Sequence, residues 1–189
     1  MKNLTLNLDE LETKELGPIA SAAVDVGVGK TEAAIQIIKR ILKNNLTDCK
    51  ESEAFDIKFI YAVPTHKLGE ELANRFRAEG ITAGVWRGRL ADNPDKPNEK
   101  MCLKPNTVEK VISMGQPVQT TMCRSKIKDT YYDCEHFQYC PYQGQTSHLT
   151  PLDVVIVPHA SLFFEIPDIG KRQILIIDES FWPAGLRGV

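Results

Sequence analysis

Long hydrophobic runs are missing from this chain of 189 residues. No stretch approaches the ~18 apolar residues of a membrane-spanning helix, and residues 1–15 are polar and acidic where a signal peptide needs an apolar core. A cytoplasmic protein without a membrane partner is therefore expected. Charge of one sign is also lacking: the formal net charge is -2 and the pI about 6.1, so any grip on nucleic acid must come from a local patch. No internal repeat and no C-x-x-C pair occur. Five cysteines in a reducing compartment do not read as a disulfide framework, which leaves metal ligation or ordinary buried thiols. The length suits one α/β domain plus an insertion, burying roughly 70% of the unfolded surface if compact.

The patterning is that of an α/β chain. Residues 19–24 are small and apolar, as in a strand buried on both faces, and a glycine turn follows. Ala33, Ala34, Ile37, Ile38, Ile41 and Leu42 recur at helical spacing, with Lys39, Arg40 and Lys43 toward the C-terminal end. Residues 44–54 read as a polar connection. Residues 57–63 form a β-rich run ended by Pro64; Leu68, Leu72, Ala73 and Phe76 mark a second helix stopped by Gly80; residues 81–86 read as a third strand. This alternation predicts a parallel sheet with covering helices. From Arg87 to His148 no long period is visible. Order returns at 154–157, in a short helix at 160–164, and in the apolar run 174–177 that ends in Asp178 and Glu179. Three segments result: 1–86, an insertion at 87–148 and a return at 149–189.

Two motifs carry chemistry. Residues 24–31, Val-Asp-Val-Gly-Val-Gly-Lys-Thr, fit a phosphate-binding loop except at the first position, where Val24 replaces Gly or Ala. Gly27 and Gly29 let the backbone curl so that its N–H groups face phosphates, Lys30 adds a cation, and Thr31 offers a hydroxyl to Mg²⁺. The cofactor-binding set is Gly27, Val28, Gly29, Lys30, Thr31 and Glu32. A plain glycine turn before a helix is the competing reading. Downstream, an apolar strand delivers Asp178 to hold Mg²⁺ and Glu179 to orient and deprotonate water; a solvated acidic loop is the alternative. The catalytic residues expected are Lys30 and Glu179, with ATP and Mg²⁺ as ligands.

With these motifs in place, the chain resembles superfamily 2 helicases. Residues 61–68, Tyr-Ala-Val-Pro-Thr-His-Lys-Leu, look like the motif whose Pro-Thr turn touches the DNA backbone, although Thr65 as a helix N-cap explains the same residue types. Asp178-Glu179-Ser180-Phe181 occupies the place of the DEAH-type box, with Ser180 and Phe181 departing from Ala and His. Cys102, Cys123, Cys134 and Cys140, separated by 20, 10 and 5 residues, lie where the XPD/DinG-like branch carries a four-cysteine [4Fe–4S] domain. Arg87-Gly88-Arg89, Cys140-Pro141-Tyr142 and residues 153–159 match that branch too, apart from Pro158 where Asn is typical. The resemblance implies a P-loop NTPase (RecA-like) fold with helices on both faces of the sheet, interrupted by the cysteine-bearing insertion. It also implies an ATP-dependent DNA helicase or translocase acting on single-stranded or forked DNA.

Four thiolates suit a cluster or Zn²⁺; the absence of close cysteine pairs favours the cluster, with unligated thiols, or His136 or His148 in a zinc site, as alternatives. Cys49 reads as a bystander. Between Arg87 and Lys128, nine basic residues face four acidic ones, a net of +5, with Trp86, Tyr131 and Tyr132 nearby. Arg124, Lys126 and Lys128 are the candidates for gripping a single strand, with a solvated loop surface as the alternative. The resemblance covers only the first half of a helicase, so a second motor domain, in this or another chain, is expected as a partner and the fold as incomplete. Two rival functions remain: a non-catalytic, zinc-ordered nucleic-acid-binding module with a vestigial P-loop, and a P-loop ATPase of replication or mobile elements without unwinding activity.

Overall fold

The structure, a computed structural model, describes residues 29–47, 57–163 and 169–178. The expected first strand at 19–24, the loop residues Gly27 and Val28, Cys49, Glu179, Ser180 and Phe181 lie outside them. The described elements are α1 (Lys30–Thr47), β1 (Phe59–Val63), α2 (His66–Ala78), β2 (Ala83–Val85), α3 (Pro105–Ser113), β3 (Arg124–Ile127), β4 (Thr130–Asp133), α4 (Pro141–Leu149), β5 (Val154–Pro158) and β6 (Ile174–Ile177). Four of the strands form one parallel sheet in the order β2-β5-β1-β6. Strands β3 and β4 form a separate antiparallel ribbon. No helix among the described residues is long and apolar enough to cross a membrane.

Strand alternation sorts the core into two layers. On one face Phe59, Tyr61 and Val63 of β1, with Val154 and Ile156 of β5, pack under Ile35 and Ile38 of α1 and Leu72, Ala73 and Phe76 of α2. On the other, Ala62, Val155 and Val157 meet Trp86, Met101, Tyr142 and Leu149, so the insertion and α4 cover that side. Helices therefore flank both faces. Gly84 on β2 marks the closest approach, because a methyl group there would stand 2.6 Å from Leu149 Cδ2 and 2.7 Å from Leu152 Cδ1.

Helix α2 has both of its ends written in sequence. The Thr65 hydroxyl accepts the Leu68 N–H at 3.3 Å, which caps the start. At the other end Gly80 has φ +78, its N–H reaches the Arg77 carbonyl, and the Ile81 N–H returns to Phe76, both at 3.0 Å. Phe76 and Ile81 are buried in the same cluster and add the apolar contact that usually accompanies this termination.

Three expectations need correction. In α1 it is Ile35, not Ile37, that shares the buried face with Ile38; Ile37 is 49% exposed, since positions 34, 35, 38, 41 and 42 form one stripe at 3.6 residues per turn. That helix also continues to Thr47, so Lys39, Arg40 and Lys43 do not occupy its last turn, and the connection starts later than residue 44; nothing in 44–47 breaks a helix. Finally, the break in pattern expected from Arg87 to His148 hides short elements: that stretch holds α3, the ribbon and all of α4 except Leu149.

Candidate functional site

All four strands of the main sheet run parallel, so their C-terminal ends share one edge, where open α/β sheets usually bind ligands. Pro64 and Thr65 follow β1, Trp86 and Arg87 follow β2, His159 follows β5, and Asp178 follows β6. The start of α1 comes to the same edge. Gly29 has φ +79, a left-handed conformation that favours glycine, and its carbonyl accepts the Ala33 N–H at 2.9 Å to open the helix.

Here the two distant motifs meet. The Thr31 hydroxyl donates to Asp178 Oδ2 at 3.2 Å across 147 residues of sequence, and the Tyr61 hydroxyl donates to the same oxygen at 3.1 Å. The Asp178 N–H donates to the Ala62 carbonyl at 3.0 Å, which fixes the end of β6 against β1. Lys30 precedes Thr31 and is exposed at the helix start. Burial, and then the neighbouring Asp178 carboxylate, pushes the Tyr61 phenol well above its ordinary range, so it stays a hydroxyl donor. Hydroxyl and carboxylate oxygens are the hard donors that Mg²⁺ takes, so Thr31 and Asp178 fit such an ion in kind. The Glu32 side chain points elsewhere: its carboxylate accepts from Gln36 at 2.9 Å and from Arg75 at 2.8 Å, and those two bonds hold it below the usual carboxylate range.

Tyr61 opens the 61–68 motif of the sequence, which assigns it no role of its own. The signal lay in register: Tyr61 pairs with Ile176, two residues before Asp178, so an aromatic on that inward row reaches the carboxylate. Two histidines at this edge also carry buried, unpartnered nitrogens among the described residues, Nε2 of His66 and Nε2 of His159. Burial, followed by the charge of Arg87, pulls the His66 pKa below its ordinary value.

The cysteines gather in the insertion. Cys102 and Cys123 are buried in one cluster with Val108 and Val118. Cys134 donates its N–H to the Cys123 carbonyl at 2.9 Å, and the Cys140 thiol lies 3.9 Å from the carbonyl of Met101, the residue before Cys102. All four thiols are free. Burial pushes the Cys102 thiol up, and the nearby Cys140 and Cys123 sulfurs add to the shift. In donor type the four suit a sulfur-ligated group, but among the described residues no three His, Cys, Asp or Glu side chains are grouped so as to hold a metal ion. His136 is engaged through both nitrogens, with Tyr139 Oη at 2.7 Å and Glu135 at 3.2 Å. His148 instead borders a cleft of about 520 Å³ with Glu70, Arg87, Asn93, Cys140 and Gln145, and that cleft includes none of Lys30, Thr31 or Asp178.

The basic stretch is largely compensated. Arg87 pairs with Glu70, Lys96 with Glu99, Lys100 with Asp92, Lys104 with Glu135 and Arg124 with Asp133. Three of those acids, Glu70, Asp133 and Glu135, fall outside residues 87–128. Arg89 lies 4.0 Å over the Tyr142 ring and reaches Cys123 Sγ at 3.9 Å. What stays outward is the ribbon: Lys126 stands 5.5 Å from the Tyr131 ring, and Tyr131, Tyr132 and Ile127 are exposed. Comparisons with protein-family models, with curated proteins and with solved structures gave no match to this chain.

Proposed function

We propose that this chain is the ATP-binding part of a DNA helicase or translocase motor of the XPD/DinG-like kind, with a P-loop NTPase (RecA-like) fold. The observation that carries the reading is the Thr31–Asp178 hydrogen bond of 3.2 Å, since it joins the end of the glycine turn to the acidic strand at the ligand-binding edge of a parallel sheet. A plain turn and a solvated acidic loop have no reason to meet there. Lys30 binds phosphate oxygens, the start of α1 offers N–H groups to the same anion, and Thr31 and Asp178 hold Mg²⁺. Bound Mg²⁺ neutralises phosphate charge. Glu179 is assigned the general-base role on its sequence position.

Cys102, Cys123, Cys134 and Cys140 would hold a [4Fe–4S] cluster, or Zn²⁺, which would tie the insertion together. The β3–β4 ribbon offers Lys126 and Lys128 to phosphates and Tyr131 and Tyr132 to bases of a single strand. Hydrolysis of ATP by the purified chain, with and without single-stranded DNA, tests the proposal. Mg²⁺-dependent turnover that Lys30→Ala abolishes and DNA stimulates supports it. Turnover indifferent to DNA moves the chain toward an ATPase without helicase motion, and a colourless, zinc-loaded protein without turnover moves it toward a non-catalytic binding module.

A further inference from the structure

We infer that Tyr61 is a positioning residue for the metal-binding carboxylate: its buried hydroxyl holds Asp178 in place when the Thr31 hydroxyl turns from that carboxylate to the divalent ion. The inference rests on the nucleotide-binding reading above and adds a residue to it. Asp178 Oδ2 accepts two hydroxyls in this structure, from Thr31 at 3.2 Å and from Tyr61 at 3.1 Å. The two donors are not equivalent. Thr31 sits on the exposed first turn of α1, where its hydroxyl can be given to an ion.

Tyr61 cannot leave. It is 1% exposed, and its ring packs edge-on against Phe76 with centroids 5.9 Å apart. Its backbone is clamped between β5 and β6, where it pairs with Ile156 and Ile176. A phenol fixed by sheet and core delivers its O–H to one point in space, and Asp178 Oδ2 occupies that point. With Thr31 drawn away, Tyr61 would keep the carboxylate from swinging, so that Asp178 would stay in place to hold the ion. Groups that orient a metal ligand from behind typically set affinity by about 10–100-fold.

The test uses Mn²⁺ as the probe ion and ADP as the nucleotide, with bound Mn²⁺ read by electron paramagnetic resonance on the full chain. Tyr61→Phe keeps the ring against Phe76 and removes only the hydroxyl. The expected result is a rise of about tenfold in half-saturating Mn²⁺, with ADP affinity in the absence of metal unchanged. A merely structural Tyr61 would instead weaken ADP binding to the same extent with and without metal. Wild-type-like Mn²⁺ affinity in Tyr61→Phe, or an equal loss of ADP affinity with and without metal, overturns the inference while leaving the nucleotide-binding reading in place. A wild-type chain that takes up no Mn²⁺ with ADP overturns the functional reading, and this inference with it.

Discussion

Replacing Thr31 by valine keeps the shape of the side chain and deletes the hydroxyl that reaches Asp178. Valine and threonine have similar helix propensities, so the start of α1 is not otherwise altered. A hydrogen bond to a charged acceptor contributes about 1.5–3 kcal/mol. The pair is part-buried and Asp178 retains the Tyr61 hydroxyl at 3.1 Å, so the lower end, about 1.5 kcal/mol, applies to the ligand-free protein. The larger effect is on ligand linkage. With Mg²⁺ and a non-hydrolysable ATP analogue at about 100 times its dissociation constant, the wild-type fold gains about 2.7 kcal/mol. A roughly hundredfold weaker site gains only about 0.4 kcal/mol at the same concentration. Urea titrations of wild type, Thr31→Val and Thr31→Ser, with and without ligand, separate the two terms, and serine should behave as wild type. If the valine variant gains the same ~2.7 kcal/mol from the Mg²⁺–nucleotide, the hydroxyl is not part of the site and the reasoning fails.

Other consequences follow from the packing and the surface. Gly84→Ala should destabilise by about 1–3 kcal/mol through contact with Leu149 and Leu152, lowering the urea midpoint; an unchanged midpoint would mean that α4 does not seat against β2 as described. His66 has its pKa depressed by burial, so it contributes stability above its unfolded value near 6.5 that is lost as pH falls through the lower folded value. His66→Gln should therefore flatten the decline in stability as pH falls from about 6.5 to the lower folded value, and an identical slope in the variant would refute the assignment. Replacing Lys126 and Lys128 by Gln should lower the salt slope of single-strand binding by about 1.4, at roughly 0.7 per phosphate contact. An unaltered slope would remove the ribbon from the proposed DNA-binding surface.

Much of the fold was legible because single residues mark its turning points. Thr65 before His66 and Gly80 after Glu79 define both ends of α2, and the apolar runs at 57–63, 154–157 and 174–177 supply neighbouring strands. The insertion was opaque for local reasons. Its helices α3 and α4 are nine residues each, too short to display a period, although both begin at a proline, Pro105 and Pro141, as a first helical position allows. Its ribbon turns through Lys128 at φ +55, where a glycine or asparagine would have signalled the hairpin. The charge of the stretch misled because Asp133 lies across the ribbon from Arg124, a partner that only register reveals. The site itself was half legible: Thr31 and Asp178 come from motifs, while Tyr61 required knowing that β1 and β6 are adjacent.

Equilibrium binding of an ATP analogue to the chain, titrated with Mg²⁺ present and with Mg²⁺ removed by chelation, bears most directly on the convergence of the glycine turn and the acidic strand. The account predicts saturable binding that strengthens with Mg²⁺, is lost in Lys30→Ala, and keeps its metal-free component but loses the Mg²⁺ enhancement in Asp178→Ala. No binding, or binding to which Mg²⁺, Lys30 and Asp178 are all irrelevant, would contradict it.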